Sequence, residues 1–69
     1  MKLSARNVLA GKVLEVKKGA TTAHVRLELA GGATITASVT NDAVEELALK
    51  AGDQAYAVVK ASDVMVGKD

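Results

Sequence analysis

The chain has 69 residues, with nine Lys and Arg against eight Asp and Glu, so its formal net charge is +1. Hydrophobic residues make up 49% and charged residues 25%, too apolar and too weakly charged for a disordered chain. Without cysteine there is no disulfide framework and no thiolate metal site, and the near-neutral balance gives no basic footprint for nucleic acid.

The first expected element is a strand over Gly11 to Lys17, carried by Val13, Leu14 and Val16. Lys17-Lys18-Gly19-Ala20 reads as a turn. From Thr22 to Leu29 the residues alternate. Ala23, Val25, Leu27 and Leu29 share one face, and Thr22, His24, Arg26 and Glu28 share the other, the mark of a half-buried strand. Ala30-Gly31-Gly32 is a turn, since paired glycines supply the positive φ of a tight hairpin. A third strand follows, with Ala33, Ile35, Ala37 and Val39 inward and Thr34, Thr36 and Ser38 outward.

Thr40-Asn41-Asp42 then offers helix-capping side chains. Val44, Leu47 and Ala48 recur at helical spacing, with Glu45 and Glu46 assigned to the positive end of the helix dipole and Gly52 as the stop. A fourth strand is expected over Gln54 to Ala61, and a fifth, short one at Val64-Met65-Val66. The pattern is β-β-β-α-β-β. It predicts an all-β fold with one short helix, an OB-like five-stranded antiparallel barrel, in a single domain over residues 1–69, with a hairpin sheet carrying a helix on one face as the alternative.

A chain this short buries only about 60% of the surface its unfolded form exposes. Its apolar residues are mostly Ala and Val, and Tyr56 is the one aromatic. The expectation is an oligomer in which subunit contacts complete the core. No signal or transit pattern is present, nor an apolar run of about 18 residues, so the expected compartment is the cytoplasm and no membrane partner is expected.

No catalytic constellation is found, and the protein is read as a binder and not an enzyme. His24 is the sole histidine; with no second His or Cys it reads as an exposed strand residue. Asp42, Glu45 and Glu46 read as dipole-complementing residues. Gly31-Gly32 belongs to a hairpin, because no phosphate-loop pattern accompanies it. Two segments stand out. Ser4-Ala5-Arg6-Asn7 and Lys60-Ala61-Ser62 each combine a cation, a hydroxyl and a small residue that leaves its backbone amide open to approach. An oxyanion requires such a set.

Ser4-Ala5-Arg6-Asn7 followed by Gly11-Lys12-Val13 resembles the opening of the molbindins (Mop), small molybdate-binding proteins. The resemblance runs through Lys17-Lys18-Gly19-Ala20 and Thr34 to Asn41. It continues through Gly52-Asp53, Tyr56-Ala57 and Lys60-Ala61-Ser62-Asp63-Val64-Met65, covering nearly the whole chain in order. It implies a free-standing Mop domain that stores and buffers molybdate or tungstate. The implied assembly is a homohexamer, a trimer of dimers, with the anion held by hydrogen bonds at subunit interfaces and no direct metal ligands. The implied binding residues are Ser4, Ala5, Arg6, Asn7, Thr40, Lys60, Ala61 and Ser62. The resemblance also implies a second class of site, for which the Gly19 to Thr22 turn is the candidate. The alternative function is an OB-fold module for single-stranded nucleic acid. It is disfavoured by the lone aromatic and by neutral outward positions at Thr34, Thr36 and Ser38. A third reading is an oligomerisation module without a ligand.

Overall fold

The computed structural model describes all of residues 1–69. Four strands form: β1 (Asn7–Lys18), β2 (Thr22–Leu29), β3 (Thr34–Thr40) and β4 (Gln54–Val59). One helix, α1 (Asn41–Glu46), joins β3 to β4, and single 3-10 turns occupy Ala30–Gly32 and Ala61–Asp63. The strands make one antiparallel sheet in the order β3-β2-β1-β4.

Alternation decides the middle of this sheet. Ala23, Val25 and Leu27 are buried on β2, while Thr22, His24, Arg26 and Glu28 between them are exposed. Along β3 the half-buried Ile35, Ala37 and Val39 alternate with exposed Thr34, Thr36, Ser38 and Thr40 in the same way. Gly31 and Gly32 take φ of 88° and 91° in the connection, and Leu29 N–H donates to the Ala33 carbonyl at 2.7 Å to close it. Only glycine adopts two such residues in succession without steric cost.

β1 is longer than its apolar pattern indicated, starting at Asn7 and not at Gly11. Its first four residues pair with β4 alone, and β2 joins from Gly11 onward. A bulge at Leu14 interrupts the β1–β2 register between Val13 and Glu15, which bends the strand and increases its twist. The sheet therefore curls. β3 and β4 lie at opposite edges of the strand order, yet Ile35, Ala37 and Val39 of one and Tyr56 and Val58 of the other line a common cavity of about 460 Å³.

The core is thin. Val13, Ala23, Val25, Leu27, Val44 and Ala57 are its buried residues, with Val44 delivered by α1. The helix starts where Thr40 Oγ1 accepts a hydrogen bond from Ala43 N–H at 3.0 Å. This satisfies one of the orphan donors of the first turn.

The fold class stands as all-β with one short helix, but the strand count is four. Val64-Met65-Val66 forms no fifth strand, because within one chain it meets no strand edge; these residues are 52%, 93% and 94% exposed. The barrel is accordingly an open, curled sheet in the single chain. Nor does Gly52 stop the helix. Leu49 N–H donates to the Val44 carbonyl and Ala48 N–H to the Glu45 carbonyl, both at 3.0 Å. That is the paired closure of a Schellman motif, with Ala48 as its left-handed residue at φ 51°. Gly52, at φ 95°, turns the chain into β4, and its N–H donates to the Val13 carbonyl at 2.8 Å.

Candidate functional site

The two segments singled out in the sequence meet at the N-terminal end of β1. Asn7 pairs with Val59, Val8 with Val58 and Leu9 with Ala57. The ladder ends at Asn7 and Val59, so Ser4 to Arg6 and Lys60 to Ser62 leave the sheet from the same end. Beyond Lys60 the chain tightens into the 3-10 turn, where Asp63 N–H donates to the Lys60 carbonyl at 2.9 Å. Ser4, Arg6, Lys60, Ala61 and Ser62 are exposed, and Ala5 and Asn7 are half-buried. Asn7 Nδ2 donates to the Val59 carbonyl at 3.1 Å.

The electrostatics of this end are unbalanced. The one ion pair in the molecule joins Lys18 to Glu45 at 3.1 Å, far from here. Arg6 and Lys60, each next in sequence to the last paired residues Asn7 and Val59, have no carboxylate partner. Like charges at one end of the sheet repel, and an anion between them turns that repulsion into attraction. The backbone N–H groups of Ser4, Ala5 and Arg6 have no acceptor. Cations, hydroxyls and bare amides together make a donor set without an acceptor of its own.

Thr40 is elsewhere. It pairs with Thr22, and the next residue, Asn41, donates from its backbone to the Thr21 carbonyl at 2.9 Å and from Nδ2 to the Gly19 carbonyl at 3.0 Å. These bonds fasten the start of α1 to the β1–β2 turn, at the Lys18 end of β1. From Asn7 to Lys18 is 18 − 7 = 11 residue steps, or about 36 Å of extended strand before curl and bulge shorten it. One chain brings seven of the eight candidate residues together and leaves Thr40 at the far end. Thr40 Oγ1 accepts from Ala43, so its hydroxyl proton is left to donate outward.

The other candidates have structural roles. His24 is exposed and lies in register with Lys17 on one side and Ser38 on the other. Asp42 lies in the first turn of α1, as expected. Glu45 and Glu46 do not, because the helix is only six residues long; Glu45 is the partner of Lys18. Tyr56 lines the apolar cavity beside Leu27 and Val39. No group of three or more His, Asp or Glu side chains comes close enough to hold a metal ion, and no helix is long and apolar enough to cross a membrane. Sequence reasoning did not foresee the bond from Asn7 to Val59. Its only signal was an amide side chain at Asn7, four residues before the expected start of the strand at Gly11.

The chain also has well-matched relatives among known proteins. Residues 3–66 match the TOBE domain model. The chain is 54% identical over 66 residues to molybdenum-pterin-binding protein 2 of Clostridium pasteurianum, covering 96% of this chain and 97% of that one. A solved molybdate-binding protein from Sporomusa ovata superposes with a TM-score of 0.93 at 38% identity, over 99% of this chain and 100% of that one. The cytoplasmic molybdate-binding protein ModG, solved with molybdate bound, gives a TM-score of 0.90 at 52% identity. That match covers 94% of this chain and 46% of ModG. With nearly its full length matched to relatives at this level of identity, the chain belongs to the TOBE domain family, among the small Mop proteins, or molbindins.

Proposed function

We propose that this chain, as a single Mop module, binds molybdate or tungstate by hydrogen bonds alone, and stores and buffers it in the cytoplasm without chemical turnover. The observation that carries this reading is that Ser4 to Arg6 and Lys60 to Ser62 leave the same end of the β1–β4 ladder, with Arg6 and Lys60 both free of a carboxylate partner. A tetrahedral dianion presents four acceptor oxygens, and burying it requires both charge and donors. Here the lysine contributes a compact charge, the arginine a planar fork of donors, and the alanines leave room for backbone amides. The similarity to the molybdate-bound ModG supports the choice of anion.

The site is shared between copies. Donors on one end of one chain enclose an anion from one side only, and Thr40, with a free hydroxyl proton, is at the other end. A second copy supplies it. The β1–β4 ribbon favours such packing. Its paired residues Val8, Leu9, Tyr56 and Val58 are 41–59% exposed, and a strand apolar on both faces is stable when both faces are covered. Homo-oligomers with closed symmetry satisfy this requirement, and a hexamer built as a trimer of dimers is the assembly proposed. Fixed donors also set a cavity size, favouring molybdate and tungstate over the smaller sulfate.

Titration calorimetry with molybdate, repeated in excess sulfate, tests the reading. Saturable binding that sulfate fails to displace is the expected result. An absence of heat with molybdate, or displacement by sulfate at comparable concentration, overturns it.

A further inference from the structure

Among the candidates at this end of the sheet, Asn7 is the one whose side chain is already engaged. Its Nδ2 donates to the Val59 carbonyl at 3.1 Å, across 52 residues of sequence, and its backbone lies opposite the same residue. Within β1 it shares a face with Leu9 and Gly11, and it is half-buried where Ser4, Arg6, Lys60 and Ser62 are exposed. Past this rung the regular ladder ends. Ser4 to Arg6 lie outside β1, and Lys60 turns into the 3-10 segment.

We infer that Asn7 is a positioning residue and not a ligand. Its amide adds a side-chain rung at the end of the β1–β4 ladder, and so holds together the segments that carry Arg6 and Lys60 before any anion arrives. The inference rests on the anion-binding reading above. Two unpaired cations repel, and the chain ends beyond the last ladder rung are free to splay. A bond from the first strand residue of β1 to the last strand residue of β4 resists that splaying at its hinge. The donors are then preorganised, and the anion does not have to supply the ordering entropy. An amide suits the role because it donates to a carbonyl without adding charge beside two cations.

The test pairs molybdate affinity with amide hydrogen exchange of the anion-free protein, using Asn7→Ala and Asn7→Leu. The leucine variant keeps bulk in the half-buried position and removes only the donor. Expected are a molybdate affinity about three- to tenfold weaker in both variants, the equivalent of one neutral hydrogen bond, and faster exchange across residues 59–63 without ligand. Exchange in the buried β2 amides stays at the wild-type rate. Unchanged affinity overturns the inference. So does weakened affinity with wild-type exchange in the anion-free protein, since that pattern belongs to a direct ligand. If the wild type takes up no molybdate, the proposed function fails, and the exchange measurement alone still decides whether Asn7 holds the two segments together.

Discussion

The two halves of the sheet are built on different terms. In the β2–β3 half each strand has one apolar and one polar face; Ala23, Val25 and Leu27 are buried, and the residues between them face water. In the β1–β4 ribbon both faces are apolar, yet of the paired residues from Val8 to Ala10 and Tyr56 to Val58 only Ala57 is buried. The first half is complete within one chain. The second has the composition of a buried element and the exposure of an edge. The unpaired cations of Arg6 and Lys60 sit on this second half, at the end of its ladder. The region that leaves the fold incomplete is therefore also the region where the anion is proposed to bind.

Substitutions separate these two roles. The largest effect is expected in the self-sufficient half. Leu27→Ala removes a residue 5% exposed and should cost about 2–5 kcal/mol of stability, read by chemical denaturation at fixed protein concentration. A loss below 1 kcal/mol would mean that this core is not what holds the chain. In the ribbon the order reverses. Lys60→Ala should weaken molybdate binding by at least about 1.5–3 kcal/mol, measured by calorimetry, and leave the denaturation midpoint of the anion-free protein unchanged or slightly raised, since one of two like charges is removed. Unchanged affinity would remove Lys60 from the site.

Smaller effects refine the hairpin side. Ala48 occupies the left-handed position of the helix-closing motif at φ 51°, which costs an L-residue roughly 1–2 kcal/mol. Glycine gives back part of that as unfolded-state entropy. Ala48→Gly should therefore raise stability by about 0.5–1 kcal/mol, seen as a higher melting temperature, with molybdate affinity unchanged. A fall in melting temperature would contradict the helix-end geometry. Smallest of all is Lys18→Ala. The Lys18–Glu45 pair is 46% and 67% exposed, so its loss should shift stability by no more than about 0.5 kcal/mol, and less at high salt.

The same contrast explains how much was readable in the sequence. β2, β3 and the start of α1 follow from alternation, paired glycines and a threonine cap, because their partners are near in sequence and inside one chain. The first residues of β1 escaped notice, since Val8-Leu9-Ala10 shows no alternation when both faces are apolar. Val64-Met65-Val66 has strand character without a strand, because apolarity reveals that a segment needs a partner and not where that partner lies. Gly52 misled as a helix stop because Ala48 had already taken the left-handed turn, a conformation that composition does not announce. Ser4 to Asn7 and Lys60 to Ser62 were legible as oxyanion donors one by one. Their convergence depends on a register spanning 52 residues, which neither segment encodes alone.

The central claim is that the anion site belongs to the assembly and not to the single chain. Native mass spectrometry with and without molybdate tests it most directly, because it counts chains and anions together. The account predicts a homo-oligomer that gains molybdate, while any monomer present carries none. A monomer that holds molybdate as well as the oligomer does, or an oligomer that takes up none, would contradict it.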